Sequence, residues 1–248
     1  DAVVVEKYAF ADCTALKSVS LGKLTTVGDY SFYNTPITVL PEFSSELKKI
    51  GIYAFSHTDL TTVTVNAGMT VGEGAFAECQ KLQSVYVRDG ATLGLGAFML
   101  GRDTVNPRTG ASNFKLDSKT VNGQKIYYYR YVSALTTIEI GNNVVIGDSA
   151  FQGAASVISV KLGTGADIGK MAFYNAESLT YINLSGAVFV GEMAFSGDVL
   201  YQYTDPYASE ALYDYDKGAY VYSYHAPKLV SVDLSSAVLV ERDASGRI

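Results

Sequence analysis

Apolar and polar positions along this chain follow one pattern that returns about every 22 residues. An apolar residue, usually followed by Gly, precedes two variable positions and an Ala-Phe or Ser-Phe pair, with the Phe at 10, 32, 55, 76, 98, 151, 173 and 195. The successive steps are 22, 23, 21, 22, 53, 22 and 22 residues. Five or six residues after most of these Phe residues comes a second block, apolar at its first, fourth and sixth positions, as in Leu60-Val63-Val65, Leu82-Val85-Val87 and Leu179-Ile182-Leu184. The fourth and sixth positions are two apart, so they share one face of a strand while the residue between them faces solvent. A period this constant predicts a solenoid in which each unit is one coil, stable only when stacked on its neighbours. Stacking should align the short strands in a parallel ladder and bring the eight Phe rings into one column.

Each conserved-looking slot has a physical job. The Gly after the apolar residue is expected to supply a tight bend or a positive φ. Ala lets neighbouring coils approach, and Phe fills the space between them. Val27-Gly28-Asp29-Tyr30-Ser31-Phe32 and Val190-Gly191-Glu192-Met193-Ala194-Phe195 show the block at either end of the array, and Ala9-Phe10-Ala11-Asp12-Cys13 and Ala75-Phe76-Ala77-Glu78-Cys79 extend it to a cysteine. With the Leu-x-x-Ile-x-Ile strand block that follows, this resembles the BspA-like leucine-rich repeat family. The resemblance implies an α/β repeat solenoid with short parallel strands, about nine turns of ~22 residues, from a secreted or surface-attached protein. It also implies a class associated with adhesion and with host or matrix contact, and no catalytic residues.

The repeat is interrupted twice at the same phase. From Phe98 to Leu135 is 37 residues and from Phe195 to Leu229 is 34, where 6 is usual. Residues 1–248 therefore read as one solenoid domain with insertions at 99–134 and 196–228, expected to leave the same edge about four turns apart. The insertions hold 12 of the 19 tyrosines. Asn122-Gly123 between strand-prone flanks is a strong hairpin signal, and Asp216-Lys217-Gly218 marks a second hairpin. The candidate ligand contacts are Tyr127, Tyr128, Tyr129, Tyr131, Tyr203, Tyr207, Tyr213, Tyr215, Tyr220, Tyr222 and Tyr224. Tyr on a rigid hairpin offers a large amphipathic surface with few torsions to freeze. The competing reading packs alternate tyrosines back onto the solenoid edge.

Composition narrows the function classes. A chain with 48% hydrophobic and 18% charged residues can bury a large core, and a net charge of −6 without a Lys/Arg cluster argues against nucleic acid. No apolar run approaches about 18 residues, so no membrane span is expected. Asp1 begins in mid-repeat, placing the natural start upstream, and the last unit, Val240 to Ser245, lacks its Phe, so either the solenoid frays there or more protein follows. Cys13 and Cys79 hold equivalent positions three periods apart, roughly 14 Å at about 4.8 Å per coil, too far for a disulfide. Both are expected to be buried thiols. His57 and His225 have no neighbours at metal-ligand spacing, Asp214 and Asp216 lack the rest of a calcium loop, and no catalytic or phosphate-binding motif occurs. No cofactor, metal or enzymatic activity is expected. The reading is an extracellular or cell-surface scaffold that contacts a protein partner from host, matrix or envelope. The alternatives are a glycan-binding module using the insertion tyrosines, and a passive spacer within a larger surface protein.

Overall fold

A computed structural model describes residues 3–40, 43–103, 105–121, 124–197, 212–214, 219–223 and 228–235. The final unit from Val240 to Ser245 lies outside the described residues, as does His225. The apolar residue of each repeat block sits on a short strand, and these strands form an eight-stranded parallel sheet from Val3–Val5 to Ala187–Val190, one strand per coil. This sheet was not anticipated as a separate layer. The second block of each repeat forms another parallel sheet of six strands, from Thr62–Val65 to Ser231–Asp233. Its register stacks like on like: Val63 faces Val85, Val85 faces Ile138, and Ile138 faces Val160. In the first coils this ladder shrinks to a single bridge between Ser18 and Val39.

The third side is a row of turns carrying the Phe column. All eight rings stack, with centroids 5.0 to 5.4 Å apart and planes within 12° of parallel. The 53-residue step from Phe98 to Phe151 leaves the stack unbroken at 5.2 Å. The six inner rings are fully buried, and the outermost, Phe10, is exposed.

One expectation needs correction here. The fold is not α/β among the described residues, where no segment is helical; the described sheet spans eight coils, and the unit expected to make the ninth lies outside the described residues. The reason lies in the turn row. The residue two before each Phe, and the residue two after six of the eight, adopt left-handed φ, for example Tyr30 at 53° and Asn34 at 54° around Phe32, and Tyr53 at 49° and His57 at 58° around Phe55. Such residues interrupt a right-handed helix. N–H groups instead alternate between two partners: Ala9 and Ala11 donate three residues back within their coil, while Tyr8, Phe10 and Asp12 donate to Asp29, Ser31 and Tyr33 of the next coil. The block thus becomes a chain of β-turns tied coil to coil.

The repeat Gly also has a different role from the one expected. Gly28, Gly51 and Gly191 are not in the left-handed region; a Cβ on any of them would lie 2.5–2.6 Å from backbone of the preceding coil. The residue is required by close approach of backbone to backbone, while the positive φ is carried by its neighbour two positions on.

Cysteine burial divides. Cys79 is buried and donates to Phe55 O at 3.2 Å beside Thr58, whose hydroxyl holds the same carbonyl, and burial pushes its thiol up to about 11. Cys13, on the outermost described coil, is exposed, contrary to expectation; both thiols are free. Among the described residues no helix is long and apolar enough to cross a membrane.

Candidate functional site

Both insertions fold as antiparallel hairpins. The first pairs Phe114–Val121 with Gln124–Tyr131, its last pair being Val121 with Gln124; Asn122 and Gly123 lie outside the described residues. The second pairs Leu212–Asp214 with Ala219–Ser223, closing across Asp214 and Ala219. They then join: Ala219–Ser223 runs parallel to Gln124–Tyr131 with Val221 on Tyr127, Tyr222 on Tyr128 and Ser223 on Tyr129. The result is one four-stranded sheet rather than two separate decorations. Their points of departure are also closer than expected, since Phe98 and Phe195 are separated by three stacking steps, not four.

The sheet gathers seven of the eleven candidate tyrosines in two adjacent strands and their neighbour. Tyr127, Tyr128, Tyr129 and Tyr131 lie on one strand, Tyr220 and Tyr222 on the strand beside it, and Tyr213 opposite Tyr220. The registers place Tyr128, Tyr213, Tyr220 and Tyr222 at positions of one sheet face. Tyr127 is half-buried with the Lys125 ammonium 5.1 Å from its ring centroid. Tyr131 anchors the hairpin to the body: it packs 5.2 Å from Phe114, and a Cβ on Gly101 or Gly153 would fall 2.2 or 3.2 Å from its ring. Tyr203, Tyr207, Tyr215 and Tyr224 lie outside the described residues.

The stem of the first insertion folds back over the turn row. His57 Nε2 meets Asp103 Oδ2 at 2.8 Å, and Arg108 donates to His57 O at 2.9 Å and to the Asp59 carboxylate. The buried Glu78 carboxylate accepts from Arg102 N at 2.7 Å and from Asn113 Nδ2 at 3.1 Å. Burial pushes the Glu78 carboxyl up to about 7 against the pull of those backbone donors. Burial likewise lowers the His57 pKa below its ordinary value, outweighing the hydrogen bond to the Asp103 carboxylate. These contacts were missed because the partners are 24 to 51 residues apart in sequence. The available signal was positional: His57 and Glu78 occupy the same left-handed slot, two after the Phe, on consecutive coils.

A second feature of the body was also missed. Tyr8, Tyr30 and Tyr53 stack coil on coil at 5.0 and 5.3 Å, and the Arg102 guanidinium lies 5.4 Å from the Tyr53 centroid. The ladder stops where Gly74 takes the slot, since a Cβ there would sit 2.2 Å from the Tyr53 ring. Among the described residues no group of three or more His, Cys, Asp or Glu is arranged to hold a metal.

Comparison with solved structures finds bacterial leucine-rich-repeat proteins. A leucine rich cell surface protein from Faecalibacterium prausnitzii is 21% identical, with 78% of this chain and 68% of that one covered and a TM-score of 0.30. Leucine-rich repeat proteins from Bacteroides ovatus and Eubacterium ventriosum are 18% and 11% identical, covering 79% and 98% of this chain and 68% and 82% of theirs, at TM-scores of 0.25 and 0.31. No curated protein matches the chain. The model of the BspA type leucine rich repeat region matches residues 2–100 and 111–214 in six copies. The chain therefore belongs to the BspA-type leucine-rich-repeat family.

Proposed function

We propose that this protein is a non-enzymatic extracellular scaffold at the cell surface, whose coils present the tyrosine-bearing sheet to a protein partner of host, matrix or envelope origin. The observation that carries this reading is the pairing of Ala219–Ser223 with Gln124–Tyr131, which unites two insertions distant in sequence. A solenoid needs neither insertion to close its core, yet both leave it at the same phase and converge on one surface. Tyr held on paired strands contributes contact area at small entropic cost, because the backbone is already ordered before a partner arrives. Family membership agrees with a binding rather than a catalytic role. Of the candidate residues, Tyr128, Tyr213, Tyr220 and Tyr222, which share one sheet face, are assigned to the contact surface, and Tyr131, on the opposite face, to its anchoring.

The test is surface plasmon resonance of the intact chain and a Tyr128→Ser/Tyr222→Ser variant against a panel of purified extracellular-matrix proteins, with a glycan array in parallel. Saturable protein binding lost in the variant supports the reading. Binding restricted to glycans, or protein binding that the variant retains, overturns it.

A further inference from the structure

A recess on the turn row, apart from the tyrosine sheet, is lined by Tyr30, Tyr33, Tyr53, His57, Glu78 and Asp103, with Arg102 at its side, and encloses about 230 Å³. Its aromatic walls meet at steep angles: Tyr33 stands at 63° to Tyr30 and at 86° to His57, with centroids 5.8 and 5.5 Å apart. One wall already holds a cation of the chain itself, the Arg102 guanidinium over Tyr53.

The polarity of the lining is specific. Burial favours neutral His57, and its Nε2, 2.8 Å from the Asp103 carboxylate, carries the proton. Nδ1 is then a bare acceptor, and it has no hydrogen-bond partner among the described residues although the side chain is only 2% exposed. The Asp103 carboxylate is an acceptor as well, and so is Glu78 once ionised, with its pKa raised to about 7. Burial, then the charges of Asp103 and Asp12, raise the Tyr33 hydroxyl pKa against the opposing charge of Arg102, so the acidic groups outweigh the cation at the same wall. An acceptor-rich, aromatic, negatively biased recess is complementary to a cation that brings several N–H donors on an apolar stem.

We propose that this recess binds a primary alkylammonium group, with its N–H donors meeting the carboxyl groups of Asp103 and Glu78 and its stem lying against the tyrosines. The group could come from a lysine side chain or from an amino sugar. The proposal is independent of the tyrosine sheet, because no lining residue belongs to the hairpin strands.

The experiment is an NMR titration of the intact chain with Nα-acetyl-lysine N-methylamide and with glucosamine. Tetramethylammonium serves as the charge without donors, and the Nε-acetylated lysine derivative as the donor without charge. The expected result is a saturable shift of Tyr33 and His57 resonances with at least one primary amine, at least tenfold tighter than with either control; the preferred amine names the source. Asp103→Asn and, as a variant that leaves the His57 partner in place, Tyr33→Leu should each weaken binding about tenfold while retaining a cooperative thermal melt. Absence of a saturable shift with both amines, equal affinity for tetramethylammonium, or wild-type binding by folded Tyr33→Leu would overturn the proposal.

Discussion

The coils and the insertions are both β-structure, but they are held together by opposite arrangements. In a coil nearly every group is satisfied by its equivalent one period away: Phe stacks on Phe, Val63 on Val85, and the N–H of Phe32 donates to Ala54 of the coil that follows. Order is propagated, and an error in one coil is felt by its neighbours. In the insertions the pairing is first of all within each hairpin, between segments close in sequence, and the contact between hairpins is a further pairing. The difference teaches why tyrosine is concentrated in one region and excluded from the inner column of the other. A coil interior accepts a ring only where rings above and below leave it room, whereas a hairpin strand tolerates any large side chain with good strand propensity.

The sharpest way to break this contrast is to remove one inner ring. Phe76→Ala or Phe173→Ala should cost about 3–5 kcal/mol, measured by denaturant melt, because each buried ring touches two others and the rigid coils cannot collapse into the space. An unchanged melt would refute the stacked column. Next comes the junction of the two regions. Glu78 ionises at about 7 in the fold against 4.5 in an unfolded chain, so the fold disfavours its charge. Its contribution is fully favourable below pH 4.5 and is lost as pH rises from 4.5 to about 7, a decline of ~3 kcal/mol. His57, with its lowered pKa, acts in the opposite sense below 6.5. Comparison of wild type with Glu78→Gln across this window isolates the first effect: the stability difference should move in the variant's favour by that amount, and a pH-independent difference would contradict the buried ionisation.

A smaller effect tests the close approach of coils. Gly51→Ala or Gly191→Ala should destabilise by about 1–3 kcal/mol, since the new methyl would press on backbone that cannot move without displacing a coil. The same melt on Gly110→Ala, where no atom lies within 4 Å, should show the milder strain of a left-handed residue alone, about 1 kcal/mol. Equal losses at both kinds of site would remove the argument from close packing. The smallest effect is expected in the tyrosine sheet, where Tyr128→Ser/Tyr222→Ser should shift stability by roughly 1 kcal/mol or less if these positions present a surface.

Legibility in the sequence followed the same division. The Phe column, the buried Val and Ile columns and both hairpins could be read because each depends on neighbours at a fixed spacing or on a local turn. The absence of helix among the described residues could not, because left-handed φ is carried by residues as different as Tyr30, Ser149 and Met171, which give no compositional cue. The role of the repeat Gly was misread for a related reason: Gly serves both a positive φ and a close approach, and sequence alone does not distinguish them. In the candidate site, the clustering of tyrosines was visible as composition, but the alignment of Tyr222 with Tyr128 and the bond between His57 and Asp103 join segments brought together by stacking. Nothing local encodes them.

The central claim is that the coils are a self-sufficient scaffold and that the sheet carried on them makes the contact. The direct test replaces residues 115–130 with a short Gly-Ser loop, leaving the Asp103, Arg108 and Asn113 stem in place, and measures thermal unfolding and matrix-protein binding on the same sample. The account predicts a cooperative melt close to that of the intact chain together with loss of binding. An unfolded chain, or full binding without the hairpin, would contradict it.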